Sequence, residues 1–355
     1  MRLFKSNFGI LIPLFLCLFL ISGNAAETIE PAIEWEIQVI GTEASLRGIC
    51  AVDKNVCWVS GSQGTVARTV NAGKTWQTFQ VKGCEDLDFR DVHAFDKDNA
   101  LILSAGRPGK ILKTKNGGAD WEETYSNDTE GVFFNSMAFW DASSGIAVGD
   151  PIDGRFLLIR TQNGGGYWEE IPFDKRPIAL EGEAGFAASG TCIAVFGKGH
   201  VWFGTGGATA RVGNSDDYGE TWTMSETPMQ KGQSSQGIFS LSFKDEKAGI
   251  IVGGDYQQPS EREGIAARTE DGGSSWIQME PEKPGGYRSS VAFIPRSNNS
   301  YVVMGKEGAD ITRDGGLTWV SLETDGYYCM SIAPGGQAGW AAGSNGRIVH
   351  FVFDD

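Results

Sequence analysis

One eight-residue pattern recurs six times along this chain and constrains its fold more than any other feature. Each copy fits Ser/Thr-x-Asp/Asn-x-Gly-x-x-Trp. The third position is occupied in turn by Asn71, Asn116, Asn163, Asp217, Asp271 and Asp314. The tryptophans that end the copies lie between 43 and 54 residues apart. A period of about 40 to 50 residues is typical of the blades of a β-propeller.

The pattern, known as the Asp-box, suits a tight turn between two strands. Its Asp or Asn oxygen can accept hydrogen bonds from turn N–H groups, and its glycine supplies a positive φ that a Cβ would disfavour. The tryptophan offers a large ring for burial against a neighbouring blade. Because the polar atoms of the motif are used within its own turn, we predict structural clamps rather than calcium or carbohydrate sites.

Segments rich in β-forming residues flank each Asp-box and predict four antiparallel strands per repeat. After Trp319 only three such segments remain, and residues 32–39, which include Trp35, can supply the missing fourth strand. We therefore predict an all-β, seven-bladed β-propeller over residues 27–355, built from four-stranded blades. An N-terminal strand in the last blade would close the ring and remove a free sheet edge.

Residues 1–26 have the features of a signal peptide. Arg2 and Lys5 precede an apolar run over residues 8–21, and small residues follow it. This predicts export to the periplasm, the cell exterior or, in a photosynthetic host, the lumen. Cys17 lacks the small residue that precedes a lipoprotein cysteine, so we expect release rather than anchoring. No second run of spanning length follows, which predicts a mature chain without a membrane span.

The net charge and the cysteines limit the kinds of partner and cofactor that this chain is expected to bind. The net charge of −15 disfavours nucleic acid, whose phosphates would be repelled. Five cysteines follow the signal peptide, an odd number without CxxC spacing, so neither zinc nor thioredoxin chemistry is indicated. The sequence leaves a disulfide bridge between Cys50 and Cys57 as an open alternative. Three scattered histidines do not make a metal site, and we expect no cofactor.

Candidate binding residues cluster on one predicted face. The turns between second and third strands, and the connections between blades, lie opposite the Asp-boxes. Arg47, Arg90 and Arg288 begin inner strands of blades 1, 2 and 6 and should approach one another there. Long loops on that face carry Asp150, Asp153, Arg155, Glu181, Glu183 and Asp255. Two interpretations remain open: internal salt bridges, or a surface that binds a protein segment or another anionic partner.

The repeats, the count of seven and the last-blade segment Gly-Trp-Ala-Ala-Gly-Ser-Asn-Gly-Arg-Ile at residues 339–348 together resemble the photosystem II stability and assembly factor family. The resemblance implies a propeller in the lumen or periplasm that assists an assembling membrane complex. Residues 149–156 and 182–191 look like a non-photosynthetic branch often labelled as oxidoreductases. No dinucleotide-binding unit, haem motif or CxxC supports that label. We expect a monomeric binding scaffold without enzymatic activity.

A sialidase or another glycoside hydrolase is the alternative, since such enzymes also use Asp-box propellers and three arginines around a substrate carboxylate. Tyr327 or Tyr328 could then be the nucleophile, with Glu183 or Asp150 as acid–base partner. Those enzymes, however, have six blades and an Arg-Ile-Pro stretch, whereas Gly48 and Ile49 follow Arg47 here.

Overall fold

The computed structural model describes residues 33–279 and 284–353, which form thirty β-strands and one short 3₁₀ helix. The predicted signal peptide, residues 1–26, lies outside the described residues. No helix within the described part of the chain is long and apolar enough to cross a membrane.

Seven antiparallel sheets follow one another along the chain, each a blade. The first strand, β1 (Ile33–Gln38), belongs to the last blade. Blade 1 contains β2 (Leu46–Ala51), β3 (Cys57–Gly61), β4 (Thr65–Thr69) and β5 (Gln77–Gln80). Blade 2 contains β6 (Asp88–Ala94), β7 (Ala100–Ala105), β8 (Gly109–Thr114) and β9 (Glu122–Asn127). Blade 3 contains β10 (Phe134–Phe139), β11 (Gly145–Ile152), β12 (Arg155–Thr161) and β13 (Glu169–Glu170), followed by the 3₁₀ helix Phe173–Lys175.

The remaining blades repeat this order with one addition. The short strand β14 (Glu183–Ala184) precedes blade 4, which contains β15 (Ile193–Phe196), β16 (His200–Gly204), β18 (Arg211–Ser215) and β19 (Thr223–Glu226). Between β16 and β18 lies a second short strand, β17 (Gly206–Gly207). Blade 5 contains β20 (Gln233–Phe243), β21 (Gly249–Asp255), β22 (Ala266–Thr269) and β23 (Ile277–Gln278), and both short strands extend its inner edge to six strands. Blade 6 contains β24 (Ser290–Phe293), β25 (Tyr301–Gly305), β26 (Gly308–Thr312) and β27 (Val320–Leu322). Blade 7 contains β28 (Cys329–Ile332), β29 (Ala338–Ala342) and β30 (Ile348–Phe353).

The core lies between blades rather than at one centre. Every blade is covered on both faces, so its middle strands are continuously apolar and buried, as in the Val-Val-Met run of β25. Between blades 1 and 2, for example, Trp58 and Val66 pack with Phe89 and Ile102. Comparable clusters fill the other gaps between neighbouring blades, and outer strands such as β9 remain partly exposed.

The predicted closure of the ring is confirmed. β1 pairs antiparallel with β30, from Ile33 opposite Phe353 to Gln38 opposite Ile348. The Trp35 ring lies 5.0 Å from the Phe351 ring, centroid to centroid. Gln38 also donates to the Ala72 carbonyl at 2.9 Å and so ties the closing strand to the Asp-box turn of blade 1. The seven-bladed, all-β architecture is therefore the one the sequence predicts.

Each Asp-box uses its polar atoms within its own turn. In the first copy, Asn71 Oδ1 accepts the Thr75 N–H at 2.9 Å, and Thr69 Oγ1 accepts the Gly73 N–H at 2.9 Å. The same pair of hydrogen bonds recurs in the other five copies. The tryptophans pack toward the preceding blade, as Trp121 does in an edge contact with Trp58 at 6.3 Å.

The cysteines form no disulfide among the described residues: the five thiols are free, four of them buried and Cys50 partly exposed. The bridge between Cys50 and Cys57 that the sequence left open is not formed in this structure. These side chains pack as small apolar groups within the blade clusters.

Removing the Trp35 ring should weaken ring closure. We expect Trp35→Ala to lower the free energy of unfolding by about 2–3 kcal/mol, because a large ring is lost from the contact with Phe351. Ile37→Ala on the same strand is the matched control: Ile37 is 76% exposed, so we expect a change below about 0.5 kcal/mol. Urea unfolding of the chain from residue 27 measures both. Equal effects of the two substitutions would contradict a packing role for Trp35.

An Asp-box aspartate should act through its turn hydrogen bonds. Asp271→Ala removes acceptors for Thr269 Oγ1, Ser275 N and Ser275 Oγ, so we expect a loss of about 1–2 kcal/mol in unfolding free energy. Asp271→Asn, which reproduces the residue of the first three copies, keeps an acceptor and should lose less. Thermal or urea unfolding compares the two variants. A larger loss in Asp271→Asn would contradict the clamp interpretation.

The same aspartate should give a pH dependence that the asparagine lacks. Burial raises the pKa of Asp271, but hydrogen bonds from Ser275 and Thr269 outweigh it and hold the pKa below its ordinary value. A depressed folded-state pKa means that this stabilisation is present above about pH 4 and is lost as pH falls through the folded-state value. Unfolding of Asp271→Asn should therefore be less acid-sensitive than unfolding of the parent chain between about pH 5 and 3.

Candidate binding pocket at the channel mouth

Arg47 and Arg90 occupy equivalent places at the end of the central channel where the turns between second and third strands lie, here called the mouth. Strand β2 shifts register between Leu46 and Gly48, and β6 shifts between Phe89 and Asp91, so each arginine is the extra residue of a bulge. A bulge re-aims its side chain away from the regular pleat. Both arginines consequently line a pocket at the mouth.

Arg288 does not join them, contrary to the prediction. The last pair before the turn is Ala51 with Cys57 in blade 1 and Phe293 with Tyr301 in blade 6. If Ala51 is counted as the first residue and the count runs back along the strand, Arg47 is the fifth. The same count from Phe293 in blade 6 gives Ser289 as the fifth residue. Since a slip of one residue turns a side chain to the other face of a strand, Arg288 points into the blade instead of the mouth.

The guanidinium of Arg288 is buried in an ion pair. Nε and Nη2 donate to Asp310 Oδ2 at 2.9 and 2.6 Å, and Nη1 donates to the Tyr287 carbonyl at 3.0 Å. Both side chains of the pair are 3% exposed. For this arginine, the interpretation as an internal salt bridge is the one that the geometry supports.

A segment of the long loop before blade 4 crosses the mouth; residues 183–189 are here called the strap. Arg47 Nη1 donates to the strap carbonyl of Ala188 at 3.3 Å, and Arg90 Nη1 donates to that of Ala187 at 3.1 Å. Asp150 accepts the N–H of Gly185 at 2.9 Å. Ser189 Oγ donates a hydrogen bond to the Ser289 carbonyl of blade 6 at 2.6 Å. The strap is thereby held by blades 1, 2, 3 and 6.

The pocket that remains above the strap has a volume of about 450 Å³. Aromatic rings form much of its wall: Phe186 of the strap stacks on Phe239 at 3.8 Å, and Tyr287 meets Phe239 edge-on at 4.9 Å. Arg47 lies over the ring of Tyr328, 4.4 Å from its centroid. The other residues that line the pocket are Arg90, Phe133, Asp150, Gly185, Ala187, Ala188, Tyr256, Ser289 and Lys306. An apolar wall with a few convergent polar groups is typical of a ligand pocket.

Positive charge dominates this pocket. Burial, and then the charge of Arg90, lower the pKa of Arg47, yet an arginine stays protonated at neutral pH. Arg90 is neutralised by Asp88, with Nε and Oδ2 2.7 Å apart, whereas Arg47 forms no ion pair with any described residue. Asp150 is the one carboxylate of the lining; burial raises its pKa, and its Oδ1 accepts hydrogen bonds from Asn135 and Gly185 at 2.9 Å each. The site has room for an anion beside Arg47.

The other predicted loop residues serve mainly structural contacts. Glu183 is 4% exposed and accepts hydrogen bonds from Arg211 and Thr205 at the base of the strap. Asp255, 2% exposed, accepts the Gln257 N–H at 2.9 Å. Arg155 lies over the Phe173 ring at 5.3 Å, and Asp153 sits exposed in the turn between β11 and β12. None of these four lines the pocket.

Of the four residues considered for a glycoside hydrolase, one tyrosine and one carboxylate lie in the pocket and the other two do not. Tyr328 and Asp150 line the pocket, but Tyr327 is 3% exposed and packs under Arg347. Glu183 is committed to its ion pair with Arg211 and cannot deliver a proton to a ligand in the pocket. Within the described part of the chain, no three His, Cys, Asp or Glu side chains are grouped to hold a metal ion.

Sequence reasoning missed the strap and the aromatic wall. Phe239 is the bulge residue of β20, in the same place as Arg47 and Arg90, so aligning the strand of blade 5 with the others would have found it. Tyr328 is likewise the fifth residue back from the last pair of β28. The contacts of Phe186 depend on a loop whose path no repeat predicts.

Comparison with known proteins agrees with the architecture. Residues 28–131 match the family described as photosynthesis system II assembly factor YCF48. The structure of YCF48 bound to D1 peptide superposes with a TM-score of 0.65 at 17% identity, covering 92% of this chain and all of that one. The resemblance to the photosystem II assembly factor family is confirmed. YCF48 from Cyanidioschyzon merolae gives a TM-score of 0.63 at 18% identity, covering 90% and 98% of the two chains.

Similarity in fold extends to an enzyme. The GH74 xyloglucanase from Xanthomonas campestris has a TM-score of 0.64 at 13% identity, covering 89% of this chain and 53% of that one. At such low identity the likeness concerns the propeller fold alone. No curated protein sequence matches this chain.

The different placements of Arg288 and Arg90 predict different effects on stability. Arg288→Ala leaves the Asp310 carboxylate buried without its partner, so we expect a loss of about 3–5 kcal/mol in unfolding free energy. Arg90→Ala, at a half-exposed side chain, should cost less than about 1 kcal/mol. Urea unfolding measures both, and a loss in Arg90→Ala as large as that in Arg288→Ala would contradict these assignments.

Proposed function

We propose that this chain is an exported, non-catalytic binding scaffold that recognises a polypeptide of a larger complex, through the pocket at the mouth. One observation carries the proposal: the half-buried Arg47 guanidinium, without a carboxylate partner among the described residues, stands beside Arg90 in a pocket walled by aromatic rings. Such a combination favours a ligand with both an anionic group and an apolar group.

The likeness to YCF48 supports a polypeptide as the ligand. That protein has been captured with D1 peptide bound, and this chain shares its fold along nearly its whole length. Loops on a rigid scaffold are where recognition residues concentrate, and here the strap and the blade turns meet at the mouth. Export follows from the N-terminal sequence, and a monomer is sufficient because one propeller supplies the whole pocket.

Partner capture should depend on the two mouth arginines. We expect Arg47→Ala and Arg90→Ala to reduce the amount of partner retained by the tagged mature protein from host extract about 10- to 100-fold, since a charge-assisted hydrogen bond contributes about 1.5–3 kcal/mol. Lys74→Ala is the matched control, because it removes one exposed positive charge from an Asp-box turn on the opposite face. Quantitative mass spectrometry of the retained proteins gives the readout. Capture by the double arginine variant at the level of Lys74→Ala would sink the proposal.

Absence of catalysis is tested separately. We expect the purified protein to release no product from aryl glycosides, including a sialoside, above a heat-treated control. Turnover that Tyr328→Phe abolishes would contradict a purely binding role, because Tyr328 is the pocket residue that the glycosidase scheme would use as nucleophile.

A further inference from the structure

We infer that an apolar ridge on blade 3 docks a basic segment of a partner polypeptide, one that carries lysine or arginine beside leucine or phenylalanine. The ridge consists of Phe173, Ile178 and Leu180, which lie in the connection between blades 3 and 4. The inference goes beyond the proposed function, because it concerns a second surface outside the mouth pocket. Neither surface depends on the other.

The three side chains of the ridge face solvent although they are large and apolar. Phe173, Ile178 and Leu180 are 49%, 58% and 48% exposed. Ala179, between the last two, packs instead against the apolar cluster that lies between blades 3 and 4. Single exposed apolar residues are common on protein surfaces, but a group of neighbouring ones typically marks an interaction site.

Arg155 shows that the members of the ridge are neighbours in space. Its guanidinium lies over the Phe173 ring, 5.3 Å from the centroid, and its backbone pairs with Ile178 in an isolated antiparallel bridge. Residues that pair in this way place their side chains on the same side of the backbone. Leu180 follows two residues after Ile178, again at an exposed position. The three apolar side chains therefore form one surface.

Hydrogen bonds to buried groups fix the backbone of the ridge. Arg211 Nη2 donates to the Ile178 carbonyl at 3.0 Å, and the Leu180 N–H donates to Glu183 Oε2 at 2.9 Å. Arg211 and Glu183 are themselves joined in an ion pair whose side chains are 11% and 0% exposed. The ridge is thus held in place before any partner binds, and a preorganised surface loses little conformational entropy on binding.

Negative charge surrounds the ridge. Asp174 and Glu181 adjoin it directly in the chain, and both are exposed. Asp153, also exposed, lies two residues before Arg155 in the turn between β11 and β12. None of these three carboxylates forms an ion pair with another described residue. They remain available to cations of a partner.

The cations close to the ridge already have partners. Lys175 Nζ lies 2.5 Å from Glu220 Oε2, and Arg176 Nη2 lies 2.6 Å from Glu170 Oε2. Arg155 donates to the Arg176 carbonyl. The uncompensated charge beside the apolar surface is therefore negative. A segment that carries lysine or arginine next to leucine or phenylalanine complements both features, whereas an acidic segment or an anionic bilayer would be repelled.

Fluorescence anisotropy with defined peptides tests the inference. The probes are fluorescein-labelled peptides of about twelve residues that combine Leu with Lys, Ser with Lys, or Leu with Glu. We expect the chain from residue 27 to bind the Leu/Lys peptide at least about tenfold more tightly than either of the others, because only this peptide supplies apolar area and positive charge together. Added salt should weaken this binding.

Substitutions of apolar residues locate the binding on the ridge. We expect Ile178→Ser combined with Leu180→Ser to weaken binding of the Leu/Lys peptide at least about tenfold, because both apolar contacts are lost. The matched control is Ile277→Ser combined with Val320→Ser, which changes two side chains that are 49% and 52% exposed on other blades. We expect this control to bind within about twofold of the parent chain.

Substitutions of carboxylates test the charge of the ridge in the same way. We expect Asp174→Asn combined with Glu181→Gln to weaken binding of the Leu/Lys peptide about three- to tenfold. Glu43→Gln combined with Glu130→Gln removes the same amount of negative charge at exposed positions elsewhere. Because the net charge of the two double variants is equal, only the position of the lost charge distinguishes them.

Three results would overturn the inference. Equal weakening by the ridge variants and their controls would show that the peptide does not bind at the ridge. Binding of the Ser/Lys peptide as tight as that of the Leu/Lys peptide would reduce the interaction to the net charge of the chain. Co-sedimentation with phosphatidylglycerol vesicles that Ile178→Ser combined with Leu180→Ser abolishes would assign the ridge to a membrane surface.

Two further measurements separate this inference from the proposed function and from loss of fold. Arg47→Ala should bind the Leu/Lys peptide as the parent chain does, and a loss there would place the peptide at the mouth and contradict the ridge. Capture of partner through Arg47 remains a separate result whichever way the ridge variants behave. Thermal melting of the ridge variants, expected within a few degrees of the parent chain, shows that the fold is intact.

Discussion

The pairing of β1 with β30 is the interaction on which the rest of the molecule depends. Seven sheets packed face to face form a ring only if the last blade is held against the first, and one strand from the opposite end of the chain does this. The mouth pocket spans the same seam: Arg47 belongs to blade 1, and the Tyr328 ring beneath it belongs to the entry of blade 7. The proposed recognition site is thus built across the place where the ring closes.

How far the sequence predicts this structure depends on the range of the interaction. The hydrogen bonds of each Asp-box lie within one turn, so the spacing of these motifs in the sequence predicted the number of blades. The last blade lacked a fourth strand in the sequence, and this led to the prediction of β1. Arg288 was misplaced because the residue of blade 6 equivalent to Ala51 is Phe293, the last residue that pairs before the turn in each blade. Matching Ala292 to Ala51 by letter therefore shifted the alignment by one residue, and a strand has a period of two.

The position of the strap could not be predicted from the sequence, for a different reason. Its position is set by hydrogen bonds to four blades and by the stacking of Phe186 on Phe239, contacts between residues far apart in the chain. It converts a channel into a pocket and takes up one N–H of each mouth arginine. The net charge of −15 spread over the whole chain makes the cationic mouth a local exception, so attraction of an anion acts at contact rather than over long distances.

Closure by the first strand also fixes the order of events during synthesis. Ile33 is made early but pairs with Phe353, so β1 must wait for almost the entire chain before its hydrogen-bonding partner exists. Contacts of such high sequence separation form late and slow the final step of folding. Until then an unpaired strand could join another nascent chain, and Glu34 and Glu36, both exposed on β1, place charges that oppose such pairing. The strand that completes the ring thus carries its own protection against premature association.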